Sequence, residues 1–318
     1  MPILRTASVL WLISKDMKKI FTLIIFFFTL LFLSACDSKQ PSLSHVLKPD
    51  CQYYSLQAAQ CLDEQELLKR VEPYQVIFIG DHHSEDNLHK NIASLIASLS
   101  QHGFTIHLAN EWFYPSDTKV LDAFSRKDIN ETEFLKQIEW EKRLKFYSYD
   151  SFKPMYEAIR DHGGRLYGIN LSKVQQKKIS DQNLSAMSKE ERSFNESLDL
   201  EVTPHKKLVM PYLTHCHAPK KNESLQACIK RMYRVQVAWD SKMALESYKL
   251  ARDLKKDEKL LVFAGAMHIK EHLGIPLRFA RLSNLATLTI LPTDRQTHEV
   301  NNGYGDYLLF YQEKVQEK

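Results

Sequence analysis

Four places in the chain set polar, chemically able residues directly after a short apolar run. Asp81, His82 and His83 follow residues 75–79, Asn110 and Glu111 follow 104–109, Asn170 follows 165–169, and His268 closes Gly265-Ala266-Met267-His268 after 260–264. Short runs rich in β-branched and aromatic residues, each ended by glycine or a polar residue, read as buried strands. In an open α/β sheet the carboxyl edge is where ligands bind. Two imidazoles and a carboxylate there (His83, Glu111 and His268) can hold a first-row metal ion, or one histidine can act as general base with Glu111 orienting it. His89, two turns into the next helix, is a further candidate metal ligand.

The elements that must position these groups follow from periodicity. Leu88, Ile92, Leu95, Ile96 and Leu99 make one apolar helical face, with Ser84 as a candidate N-cap and Glu85 and Asp86 in the favoured acidic first turn. Helices are expected over 116–124 and 131–140. After the aromatic stretch 145–154 another is expected, stopped by Gly163-Gly164. Leu225, Cys228, Ile229, Met232, Val235, Trp239 and Met243 mark one long helix, and late strands are expected at 285–291 and 307–311. Strands alternating with helices predict an α/β fold: three layers, α/β/α, with a mainly parallel sheet and helical insertions. Residues 48–318 form this domain, and a polar stretch around 172–223 reads as an insertion or lid.

The N-terminus speaks to compartment. Lys15, Lys18 and Lys19 precede an apolar run from Ile20 to Leu33, too short for a membrane span and suited to a signal-peptide core. Leu33-Ser34-Ala35-Cys36 resembles a bacterial lipobox. It implies cleavage after residue 35, lipidation (palmitate) of Cys36, a tether over 36–47, and a cell-envelope protein anchored to a membrane and facing the periplasm. Met17-Lys18-Lys19 resembles an alternative start. Removing residues 1–35 takes away four basic side chains and one acidic one, so the formal charge falls from +4 to +1, which argues against nucleic acid as a partner. Cys51, Cys61, Cys216 and Cys228 remain and in an oxidising compartment suggest two disulfides. The short loops Cys51–Cys61 and Cys216–Cys228 are favoured among three possible pairings.

No Gly-x-Ser-x-Gly elbow, phosphate loop or dinucleotide fingerprint occurs, and no Cys-x-x-Cys-His for covalent haem attachment. A more specific pattern does occur. Ile79-Gly80-Asp81-His82-His83 with His89, Asn110-Glu111-Trp112-Phe113 with Leu121-Asp122, and Gly168-Ile169-Asn170 appear in order. Val235-Gln236-x-x-Trp239-Asp240 and Ala264-Gly265-Ala266-Met267-His268 with Gly274-Ile275-Pro276 follow them. Together they resemble the ChaN family of haem-binding, iron-regulated bacterial lipoproteins, grouped with the Tiki proteases and erythromycin esterase. The resemblance implies iron transport, with haem held between the two subunits of a homodimer through a tyrosine ligand and supplied by an outer-membrane haem receptor system. The family carries Glu where Asp81 stands, and Tyr-x-Pro where this chain has Phe152-Lys153-Pro154. Tyr147 and Tyr149 are therefore the candidate iron ligands, with His215 and His217 as the alternative. Trp112, Phe113, Tyr114 and residues 146–149 are expected to wall the porphyrin. Two other readings stand beside the haem carrier: a metal-dependent hydrolase using His83, Glu111 and His268, and a non-catalytic envelope interaction protein.

Overall fold

The computed structural model describes residues 44–47, 51–217, 219–294, 298–301 and 303–312. The apolar N-terminal run and Cys36 lie outside them. Among the described residues there are ten strands: β1 Ser44–Leu47, β2 Tyr53–Ser55, β3 Gln60–Leu62, β4 Val76–Asp81, β5 Thr105–Asn110, β6 Leu166–Gly168, β7 Glu258–Gly265, β8 Thr287–Asp294, β9 His298–Asn301 and β10 Tyr307–Tyr311. Eight form one sheet in the order β3-β2-β10-β8-β4-β7-β5-β6. From β10 to β6 every pairing is parallel, and β2 and β3 add antiparallel at one edge. β1, which the sequence places at the end of the tether, pairs with β9.

β4 and β7 lie at the centre and are buried almost throughout, as continuous apolar runs in a parallel sheet must be. Their register sets Asp81 opposite Gly265, and Asn110 on β5 lies opposite Phe263. The expected polar ends therefore reach one rim together. One face of the sheet packs under the Asp86–Gln101 and Tyr149–Asp161 helices, and the other under the long Leu225–Ala251 helix and Ile275–Ala280. The architecture is the expected α/β/α.

The polar insertion folds as three helices, Lys173–Asp181, Lys189–Glu196 and Thr203–Leu213. They share an apolar cluster with the long helix: Ile179, Met187, Val209 and Leu213 against Tyr233 and Val237. The weak periodicity of this stretch reflects helices that each bury only a few side chains. Both favoured disulfides are present, Cys51–Cys61 and Cys216–Cys228, with Cα separations of 5.8 and 6.0 Å. Ser84 is not the N-cap. It adopts φ +69°, the helix starts at Asp86, and Glu85 precedes it without a side-chain cap bond. The left-handed turn at Ser84 is what sends His83 back over the strand end. Among the described residues, no helix is long and apolar enough to cross a membrane.

Candidate functional site

Asp81 is the last residue of β4, and its side chain is buried. Its two carboxylate oxygens face two histidines: Oδ2 lies 2.8 Å from His83 Nδ1, and Oδ1 lies 2.7 Å from His89 Nε2. His89 is wholly buried, and its other nitrogen, Nδ1, stands 3.0 and 2.9 Å from the carbonyl and hydroxyl oxygens of Ser151. With both nitrogens engaged, His89 holds Asp81 in place and has no lone pair left for a metal, contrary to the sequence expectation. Burial pushes the Asp81 carboxyl up, but the hydrogen bonds and charges of the two histidines outweigh it and hold its pKa below the usual value. The same pair raises His83 against its own burial.

Glu111, just past β5, accepts a 2.7 Å hydrogen bond from the Gly265 amide on Oε2 and has Oε1 3.4 Å from His268 Nε2. The other ring nitrogen of His268, Nδ1, lies 2.5 Å from Oδ1 of Asp240, a fully buried residue of the long helix. Burial alone would lower the His268 pKa, but the charges of Glu111 and Asp240 and their hydrogen bonds raise it to about 10. With a carboxylate facing each ring nitrogen, His268 favours its protonated form. Asp240 is pushed up by burial, yet His268, His205 and Arg278 hold it at about 2. His205 Nε2 stands 2.9 Å and Arg278 Nη1 3.7 Å from Asp240 Oδ2. A Cβ on Gly265 would stand 3.1 Å from His83 Cε1, so the imidazole would have to give by a few tenths of an ångström.

Sequence reading thus brought His83, Glu111 and His268 to one rim but missed their supports. Asp240 had a signal: Gln236 and Asp240 are polar at i and i+4 on a helix whose neighbours Val235, Val237 and Met243 are buried. His205 lies in the weakly periodic insertion and had none. Asn110, fully buried, donates to the Tyr156 hydroxyl (2.7 Å) and accepts from the Trp112 amide (2.9 Å), so it shapes the turn that presents Glu111. Among the described residues, the one group of three or more His, Cys, Asp or Glu with ligand atoms within 4.8 Å is Cys216, Glu223 and Cys228, whose sulfurs are bonded to each other.

Beside Glu111 opens a cleft of about 210 Å³, walled by Trp112, Tyr114, Leu144, Tyr147 and Trp239, with Arg143 and Lys173 at its edge. The Trp112 ring stacks obliquely on Tyr147 at 4.5 Å and meets His83 edge-on at 4.7 Å. Phe146, next along, is 81% exposed. Tyr149, the other tyrosine expected as an iron ligand, is only 7% exposed and packs in the core against Trp140 and Tyr156, so its hydroxyl does not reach the cleft. Phe113 is likewise buried, against Phe134 and Trp140. Phe152, where the family carries tyrosine, is buried with its ring 4.7 Å from His89, beneath Trp112. His215 and His217 are exposed and flank Cys216, outside the cleft lining.

The family model described as haem-binding uptake, Tiki superfamily, ChaN matches residues 67–279. The chain belongs to the ChaN family. Among solved structures it resembles ChaN of Campylobacter jejuni, described with cofacial haem binding, at 18% identity and TM-score 0.63, over 82% of this chain and 96% of that one. It is also similar to the type III effector HopBA1 (16%, TM-score 0.46, 86% and 100%) and to erythromycin esterase EreC (15%, TM-score 0.44, 76% and 77%). No curated protein sequence matches it. The sequence resemblance over 74–291 thus rested on the stretch that the ChaN family model covers.

Asp240 is the test of the charge network. Asp240→Asn leaves Arg278 without its buried counter-charge and His268 with Glu111 alone, and stability should fall by about 3–5 kcal/mol. A carboxylate held near 2 contributes fully above its unfolded value of 3.8 and loses that contribution as pH falls through the folded value. The parent–variant gap in urea midpoint should therefore be constant between pH ~4 and the ordinary histidine value of 6.5, and close toward pH ~2. A gap below about 1 kcal/mol at neutral pH would show that the network is not built on Asp240.

Proposed function

We propose that this ChaN-family protein is a lipid-anchored haem carrier of the bacterial envelope, and that Tyr147 is the iron ligand. The observation carrying this reading is the half-exposed Tyr147 ring on the wall of the cleft, beside Trp112 and the fully projecting Phe146. A phenolate is a hard oxygen donor suited to ferric iron, the state expected of scavenged haem. Burial, with the Glu111 and Asp81 charges, raises the Tyr147 hydroxyl above its ordinary pKa. The phenolate would form only with a cation in front of it.

A cleft of about 210 Å³ is smaller than the roughly 300–1,000 Å³ of sites that enclose a drug-sized ligand. A porphyrin would therefore lie across the mouth with one apolar face outward. A second copy covering that face removes it from water, which is the physical reason for a homodimer on haem binding. Lys173 in the cleft lining is a cation suited to a propionate, whereas Arg143 is already paired with Asp117 at 2.7 and 3.0 Å. The disulfides and the family support an envelope setting, and the lipobox-like Leu33-Ser34-Ala35-Cys36 supports the anchor. Whether the anchor sits in the inner or outer membrane is a separate question from cargo.

Two outcomes are expected. Hemin added to the purified protein should give a high-spin, oxygen-ligated ferric spectrum together with a doubled sedimentation mass. Tyr147→Phe, which keeps the ring and removes the oxygen, should abolish that spectrum and weaken binding by at least about tenfold. An unchanged spectrum in Tyr147→Phe excludes this ligand, and no Soret change in the parent excludes the carrier. Cys36→Ser should move the protein from the membrane fraction to the soluble one. A mutant that pellets as the parent does would exclude lipid anchoring.

A further inference from the structure

The insertion helix Thr203–Leu213 is apolar on two sides. Inward, Val209 and Leu213 pack with the long helix and His205 reaches Asp240. Outward, Pro204, Leu208, Pro211 and Tyr212 stand at i, i+4, i+7 and i+8, the spacing of a single helical stripe. They line an open groove with Lys207 and Glu271, and Tyr212 is 55% exposed. Lys207 and Glu271 balance there, so the groove selects an apolar contact and not one sign of charge.

What covers the stripe follows from where the chain enters the domain. β1 runs antiparallel to β9, and Ser44, its first residue, stands opposite Asn301, the last of β9. Tyr304 comes three residues later, at most about 11 Å along the chain. Its carbonyl accepts from the Glu271 amide at 2.9 Å, and Lys270 Nζ lies 4.8 Å from the centre of its ring. Burial, with Tyr212 and Glu271 beside it, raises the Tyr304 hydroxyl. Tyr304 thus joins the entry point of the tether to the groove. From Cys36 to Ser44 is eight residues, a reach of at most about 29 Å. A domain of this length is roughly 50 Å across, so a chain lipidated at Cys36 keeps the Ser44 end toward the bilayer and the opposite end off it.

We propose that the outward stripe of the Thr203–Leu213 helix is the membrane-facing surface of this protein and rests in the phospholipid headgroup layer. A tyrosine ring with its polar tip is favoured at that boundary, and a helix lying in it turns its apolar side chains to the lipid. Lys206 and Lys207, both exposed, can lay their stems along the apolar surface and reach the phosphates. This assignment rests on the lipid anchor proposed above and is independent of haem. It puts the headgroups one helix diameter, about 10 Å, from the Asp240 charge network that His205 joins on the inner side.

The test uses the full chain, lipidated at Cys36, in phosphatidylethanolamine–phosphatidylglycerol nanodiscs doped with a lipid carrying gadolinium on its head group. Methyl-labelled Met210 reports on this helix and Met155, on the opposite face of the sheet, serves as reference, the two assigned by Met210→Leu and Met155→Leu. Gadolinium should erase the Met210 signal and spare Met155. Tyr212→Ser combined with Lys207→Glu, two exposed side chains, should restore Met210 while Met155 stays native. Equal broadening of the two methionines, or a double variant that behaves as the parent, would overturn the membrane-facing stripe and leave it to a protein partner. A parent chain that separates from the discs would overturn the anchor and this assignment with it.

Discussion

One buried imidazolium holds the functional edge of this protein together. His268 sits between Asp240 on one side and Glu111 on the other, and each carboxylate has further partners: His205 and Arg278 for the first, the Gly265 amide and the His83 charge for the second. Taking such charges out of water costs several kcal/mol per ion, and close approach of opposite charges is what offsets it. The groups come from the ends of β5 and β7, the long helix, the insertion and the Ile275–Ala280 helix. Five elements are therefore fixed relative to one another by one set of charges. Asp81 with His83 and His89 repeats the device one strand over, and Gly265 leaves room for the two to meet.

This arrangement bears on what the rim can do. His268 and the buried Asp240 fix charge behind Glu111, the member of the network that lines the cleft. His83, with a side chain 39% exposed, is the member of the network that solvent or a ligand reaches. Over this polar floor stands an aromatic wall of Trp112 and Tyr147. A rigid charged base and an apolar, oxygen-bearing wall suit a flat ligand with one coordinating atom and charged edges, which is how the haem reading of a ChaN-family chain becomes physical.

The fold was legible because its strongest signals are periodic: apolar strands ended by glycine or polar pairs, and helices with a single buried face. The convergence of Asp81, Glu111 and His268 was legible for the same reason, since a parallel sheet delivers all carboxyl ends to one edge. Asp240 was visible only as part of a motif, because a buried carboxylate on a helix looks like any polar interruption until its partners arrive from elsewhere. Tyr147 and Tyr149 are two residues apart at the start of one helix, and spacing alone gives no hint which one turns outward. Ser148 ends the extended segment as N-cap, so Tyr149 begins the helix facing the core while Tyr147 remains on the outer wall. The Ser84 turn illustrates the reverse case. A residue type suited to capping was used for a positive φ, because bringing His83 over Asp81 needed a sharper bend than a capped helix start provides.

The charge state of His268 is where the account is most exposed. Nitrogen-15 spectra of the histidine side chains in the full chain, recorded from pH 5 upward and assigned with His268→Gln, report the protonation of each ring nitrogen. The network described here requires both nitrogens of His268 to stay protonated through neutral pH and to titrate at about 10. A His268 that loses its proton near its ordinary value of 6.5 would mean that Glu111 and Asp240 do not hold it charged, and the rim would have to be understood without its central ion.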